Sequence, residues 1–220
     1  MLSLEIMRES SPLKLNTFDL MGRYFRHSII LILTIIVWTL NLGAQQINFS
    51  TFAGSGITLT ANPDVLSFNS VSGPILRNTG ETISVTLAVG EPAVIAISGQ
   101  ADLDVTVTID APDYLVLDGG TDQIGVAIQF AYSNQGSANA SAAKLVAVEI
   151  PGTFNTATFP LKRRTSGTRA IPPTPRHSGY TPPTTTAYLF IYGSLGPVGD
   201  VGAGSYLGVI NVTVEYSTYD

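Results

Sequence analysis

The chain has 220 residues, with 16 acidic against 11 basic side chains and a formal net charge of −5. That balance argues against nucleic acid or an anionic membrane surface as the main partner. There is no cysteine, which excludes thiol catalysis, thiolate zinc or iron–sulfur sites, and a lipid anchor on a cysteine after a leader.

Residues 21–44 carry the pattern of a secretory signal peptide. Arg23, Arg26 and His27 form a short basic region, and Ser28 to Leu40 is an apolar run broken only by Thr34 and Thr39. Leu42, Gly43 and Ala44 place small residues where signal peptidase acts. The apolar run is about 13 residues, short of the roughly 20 that a spanning helix needs. Cleavage after Ala44 is therefore expected, with no stable membrane span in the mature chain. Residues 1–20 read as an over-extended start or a disordered segment, Met21 being the natural initiator. The protein is expected outside the cytoplasm: in the periplasm, at the cell surface or extracellular.

The mature chain, residues 45–220, is long enough for one well-buried domain. It holds 13 acidic and 7 basic residues, a net charge of −6. Its first stretch, "QQINFSTFAGSGITLTA", places Ile47, Phe49, Ala53, Ile57, Leu59 and Ala61 at odd positions. An extended backbone would gather these on one apolar face. Such a segment either pairs in cis as the domain's first strand or is donated to a neighbouring subunit by strand addition. Pairing in cis is preferred, because uncovered edges invite aggregation.

Period-two alternation then predicts strands over 56–61, 65–71, 83–89, 93–99, 104–110, 114–117, 124–132, 143–150, 156–161, 187–192 and 205–217. Asn62-Pro63-Asp64, Asn78-Thr79-Gly80, Asp118-Gly119-Gly120 and Pro151-Gly152 supply the turns between them. The expected fold is all-β: an antiparallel immunoglobulin-like or pilin-like β-sandwich behind a cleaved signal helix.

Two segments interrupt the alternation. Residues 133–142, "SNQGSANASA", read as a polar surface loop. Residues 162–186 read as a long Pro-rich insertion loop holding Lys162, Arg163, Arg164, Arg169 and Arg176, five of the seven basic residues of the mature chain. This loop could meet an acidic glycan or a partner subunit, but an irregular solvated insertion is preferred.

The catalytic inventory is thin. His177 is the one histidine after the cleavage point and sits in that loop, so neither a Ser-His-Asp device nor a histidine zinc site is expected. The protein is read as no enzyme, with no cofactor. Asp110, Asp113, Asp118 and Asp122 are weak calcium candidates, since loop carboxylates suit that ion. They are also ordinary turn residues. Tyr132, Tyr180 and Tyr188 are the candidate stacking platforms for a carbohydrate-binding module. Asn48, Asn139 and Asn211 open N-x-S/T triplets, a weak signal.

Three stretches resemble a known family. "LTANPDVLSFNSVSGPILRNTGETISVTLA" is similar to its first block, "AVIAISGQADLDVTVTID" to its second and "AYLFIYGSLGPVGDVGAGSYLGVINVTVEY" to its last. The family is the bacterial domain-of-unknown-function family 4402, similar in style to spore-coat-U and chaperone–usher pilin-like domains. Asn69-Ser70 departs from its usual Gly, and the basic loop looks like an insertion. The resemblance implies an exported, non-enzymatic β-sandwich from a Gram-negative bacterium of the Bacteroidota type, with a structural or adhesive role at the cell surface. It also raises an alternative, a pilin-like subunit that polymerises by donated strands. Ile47 and Phe49 would donate, and Gly208 and Tyr219 stand at the pilin-like positions near the end.

Overall fold

The computed structural model describes residues 45–68, 80–163 and 181–217, so the expected signal peptide lies outside the described residues. Chain order begins with β1 (Gln45–Ala53), β2 (Thr58–Ala61) and β3 (Val65–Ser67). β4 (Ile83–Val85), β5 (Ala93–Gln100), β6 (Asp104–Asp110) and β7 (Tyr114–Leu117) follow. Then come β8 (Gln123–Ser133), a short helix α1 (Ala140–Lys144), β9 (Val148–Ile150) and β10 (Thr156–Pro160). β11 (Thr184–Leu195) and β12 (Tyr206–Tyr216) complete the set. Among the described residues, no helix is long and apolar enough to cross a membrane.

Alternation explains most of these strands. In β6, Val105, Val107 and Ile109 point inward and are buried, while Thr108 and Asp110 on the other face are exposed. In β5, Ala93, Ile95 and Ile97 are fully buried. Side chains of successive residues leave opposite faces of a strand, so each such run supplies one wall of a core. Phe68, Phe159, Leu161, Leu189 and Phe190 fill the space between the walls.

The strands join in one curled, mixed sheet with the order β10-β6-β12-β7-β8-β11-β5-β2; β1 pairs with β12 and β3, β4 with β11, and β9 with β8. β8 is the hinge of the curl. Gln123 to Gly125 pair with β7, and Val126 to Ser133 pair with β11. The sheet thus has a β12 half and a β11 half that share one strand.

The expectation of purely antiparallel pairing is corrected at one place. β1 runs parallel to β12, in register from Gln45 opposite Tyr206 to Ala53 opposite Val214. Facing rungs share a side of the sheet, so this register sets the inward faces of β1 and β12 together.

Several boundaries also move. The strand expected at 143–150 is replaced by α1 and the three-residue β9. The Asn139 side chain accepts a hydrogen bond from Ala142 N–H at 2.9 Å, and the Ala-Ser-Ala-Ala-Lys that follows it favours helix. The strand expected at 83–89 stops at Val85, because Thr86 folds the chain back. Its hydroxyl accepts from Ala88 and Val89 N–H at 3.2 and 2.9 Å, a hydroxyl-stabilised turn. β3 ends at Ser67, and residues 69–71 of that expected strand lie outside the described residues. β11 starts at Thr184, inside the span assigned to the basic loop, because Thr184 to Thr186 already pair with β5.

Candidate binding cleft

The handover in β8 opens a cleft. Val126 N–H still donates to the Asp113 carbonyl at 2.9 Å, but beyond it β8 turns away from β7 toward β11. On the far side, the loop between β9 and β10 is held to the end of β6 by Ile109 N–H donating to the Asn155 carbonyl at 2.8 Å. The space between measures about 570 Å³, a size suited to a small ligand or one stretch of a chain.

Val126 and Ile128 of β8, both half-buried, give the cleft an apolar floor. Asp110, Asp113 and Asn155 bring hydrogen-bonding groups to its walls. Phe154 N–H donates to the Pro151 carbonyl at 2.9 Å, closing a turn. That turn sets the Phe154 ring at the rim, 59% exposed. Asp110 is steadied from β12: Asn211 lies opposite it, and Asn211 Nδ2 donates to its Oδ2 at 3.4 Å. Among the described residues, no lysine, arginine or histidine lines the cleft.

The four aspartates offered as calcium ligands do not come together. Asp110 and Asp113 lie at one end of β7, while Asp118 and Asp122 lie beyond the other. Four extended residues separate the pairs by about 13 Å. Asp122 instead fastens the loop before β12, its Oδ2 accepting Gly202 N–H at 2.6 Å. Asp118 N–H donates to the Ser205 carbonyl at 2.8 Å. Among the described residues no three His, Asp or Glu side chains are grouped to hold a metal ion.

Two tyrosine hydroxyls feel their surroundings. Tyr206 donates to the Gly202 carbonyl at 2.6 Å. Burial first, and then the Asp122 charge, push its pKa above the ordinary value. Tyr192 is raised by burial first, and then by the charge of Glu149 and a hydrogen bond to it. Neither residue lines the cleft, so these shifts concern stability.

Of the residues considered for strand exchange, Ile47, Phe49 and Gly208 lie together in the β1–β12 pairing. Ile47 is fully buried opposite Gly208, and half-buried Phe49 lies opposite Ile210. A Cβ on Gly208 would stand 2.7 Å from Leu115 Cδ2, so the glycine gives Leu115 its place beneath the seam. Tyr219 lies outside the described residues. Three residues earlier, the Tyr216 hydroxyl accepts from Gln100 N–H at 2.8 Å and donates to the Gly56 carbonyl at 3.0 Å. It ties the end of β12 to β5 and to the turn after β1.

Of the basic loop, Lys162 and Arg163 are exposed at its root, with Arg163 N–H donating to the Asn134 carbonyl at 2.8 Å. Arg164, Arg169 and Arg176 lie outside the described residues, as does Tyr180. The other proposed stacking platforms face inward in part. Tyr132 stacks on Phe159 with ring centroids 4.1 Å apart and planes inclined by 10°, and Tyr188 is half-buried against the core. The exposed aromatic at the cleft is Phe154. Its signal in the sequence was an aromatic inside the turn-forming "PGTFN", where no strand needs one.

Comparison with family models and with curated proteins returns no match for this chain.

Proposed function

We propose that this protein is an exported, non-enzymatic β-sandwich of the immunoglobulin-like kind, structural or adhesive, at the cell surface, extracellular or in the periplasm. The reading includes membership of the domain-of-unknown-function family 4402 and a source among Gram-negative bacteria. The β1–β12 seam carries the reading. The docking of β1 on β12 in cis supports a self-contained module over a donor-strand subunit, with its cleft and outer sheet face available for contacts. Export rests on the leader pattern of residues 21–44, and the absence of bond chemistry on the thin inventory of nucleophiles and bases.

Cell fractionation with mass spectrometry of the N-terminus tests the reading. The expected product begins near Gln45 and is removed from intact cells by added protease. A cytosolic chain that keeps residues 21–40 would refute export. A ladder on unboiled gels that collapses on deleting residues 45–55 would replace the monomeric module with the donor-strand subunit.

A further inference from the structure

We propose that the cleft between β8, the β6–β7 loop and the β9–β10 loop is a binding site for a neutral carbohydrate chain, with Phe154 as its stacking platform. The inference deepens the adhesive reading by naming what is held. Binding of a purified ligand is measured separately from export, so either can fail alone.

A pyranose ring presents C–H groups on its faces and hydroxyls around its rim. It is met best by an aromatic face together with carboxylate or amide groups at the side. The cleft offers that combination. The Phe154 ring is 59% exposed at its edge. An aromatic face is a large apolar surface held by only two side-chain torsions, so it orders at low entropic cost. Asp110 and Asp113 are acceptors for sugar hydroxyls, and the Asn155 amide both donates and accepts. Val126 and Ile128 add half-buried apolar side chains to the lining.

Charge selects among sugars. Two carboxylates line the cleft, and among the described residues no cation accompanies them. A uronic or sulfated chain would bring its own negative charges against Asp110 and Asp113, and like charges close together are unfavourable. A neutral chain meets no such repulsion. The fold supplies rigidity: two of the walls hang from the backbone bonds of Val126 to Asp113 and Ile109 to Asn155, so little ordering remains to be done on binding.

Isothermal titration calorimetry of the mature chain against maltohexaose, cellohexaose, xylohexaose and a hexagalacturonate tests the proposal. At least one neutral hexasaccharide is expected to saturate with Kd below about 1 mM. Phe154→Ala should weaken it at least tenfold, and Phe154→Tyr should retain it. Leu145→Ser removes an exposed apolar side chain outside the cleft and should leave binding unchanged. Unaltered circular dichroism of the Phe154 variants certifies the fold. Binding to none of the neutral chains, preference for the hexagalacturonate, or a Phe154→Ala variant that binds like the parent would each overturn the assignment.

Discussion

β11 and β12 are long central strands, one in each half of the sheet, and they are finished differently. β11 is buried almost throughout: Ala187, Leu189, Phe190, Ile191 and Leu195 have no exposure, and Tyr192 has 4%. α1 lies against it, so both faces of β11 are covered and its sequence, "TTTAYLFIYGSL", barely alternates. β12 alternates strictly. Tyr206, Ile210, Val212 and Val214 are buried, while Leu207 and Val209 are exposed together with Tyr114 and Val116 of β7. Leu207 and Val116 are direct cross-strand neighbours. A continuous apolar run thus marks a strand covered on both faces, and a period of two marks one open to solvent.

Four measurements test that contrast. The largest effect is expected at Phe190, which is fully buried in β11. Phe190→Ala should cost about 3–5 kcal/mol in urea unfolding, and a loss under 1 kcal/mol would mean that β11 is not packed on both sides. Glycines give the next comparison. A Cβ on Gly193 would run into the Ala127 carbonyl oxygen on β8, backbone that has nowhere to go, whereas at Gly208 it meets the tip of the movable Leu115 side chain. Gly193→Ala should cost about 3 kcal/mol and Gly208→Ala about 1 kcal/mol. Equal losses would erase the difference between the strands.

Alkaline pH comes third. Tyr192 in β11 and Tyr206 in β12 both have pKa values raised above 10.0. In the unfolded chain these tyrosines lose protons from about pH 10, while the folded state still holds them. Stability is then at its full value below pH 10 and falls as pH rises toward the folded pKa values. Replacing both by Phe should flatten that fall in a series of denaturation curves from pH 8 to 11, and an unchanged slope would remove both tyrosines from the account. The smallest effect is expected on the open face: Leu207→Ser with Val209→Thr should change stability by no more than about 0.5 kcal/mol per site. A larger loss would show that this face is covered in solution.

Legibility in the sequence followed the same contrast. β6 and β7 could be read to the residue, 104–110 and 114–117, because each carries a plain alternation or turn signals at both ends. The alternation shows β11 only over 187–192, since Thr184 to Thr186 continue the polar loop and Gly193-Ser194 break the apolar run. α1 was missed because five residues are too few for helical periodicity to show, although Asn139 before a run of alanines was a readable cap. The cleft was legible only in fragments. Asp110 and Asp113 stood out as carboxylates, but nothing local tells that β8 changes partners after Gly125. Bringing Phe154 beside them depends on the pairing of β9 with β8 and of β10 with β6, contacts between distant parts of the chain.

The parallel seam has a mechanical consequence. β1 enters at Gln45, opposite Tyr206, while the chain leaves β12 at Tyr216, beyond the rung of Ala53 and Val214. Pulling on the chain at Gln45 and at Tyr216 draws the pair in opposite directions along their length. The rungs between them are then strained in shear, all at once. A hairpin pulled open from its end would give way one rung at a time. A tether attached at the two ends of this module would therefore meet resistance from the whole seam before any core residue is exposed.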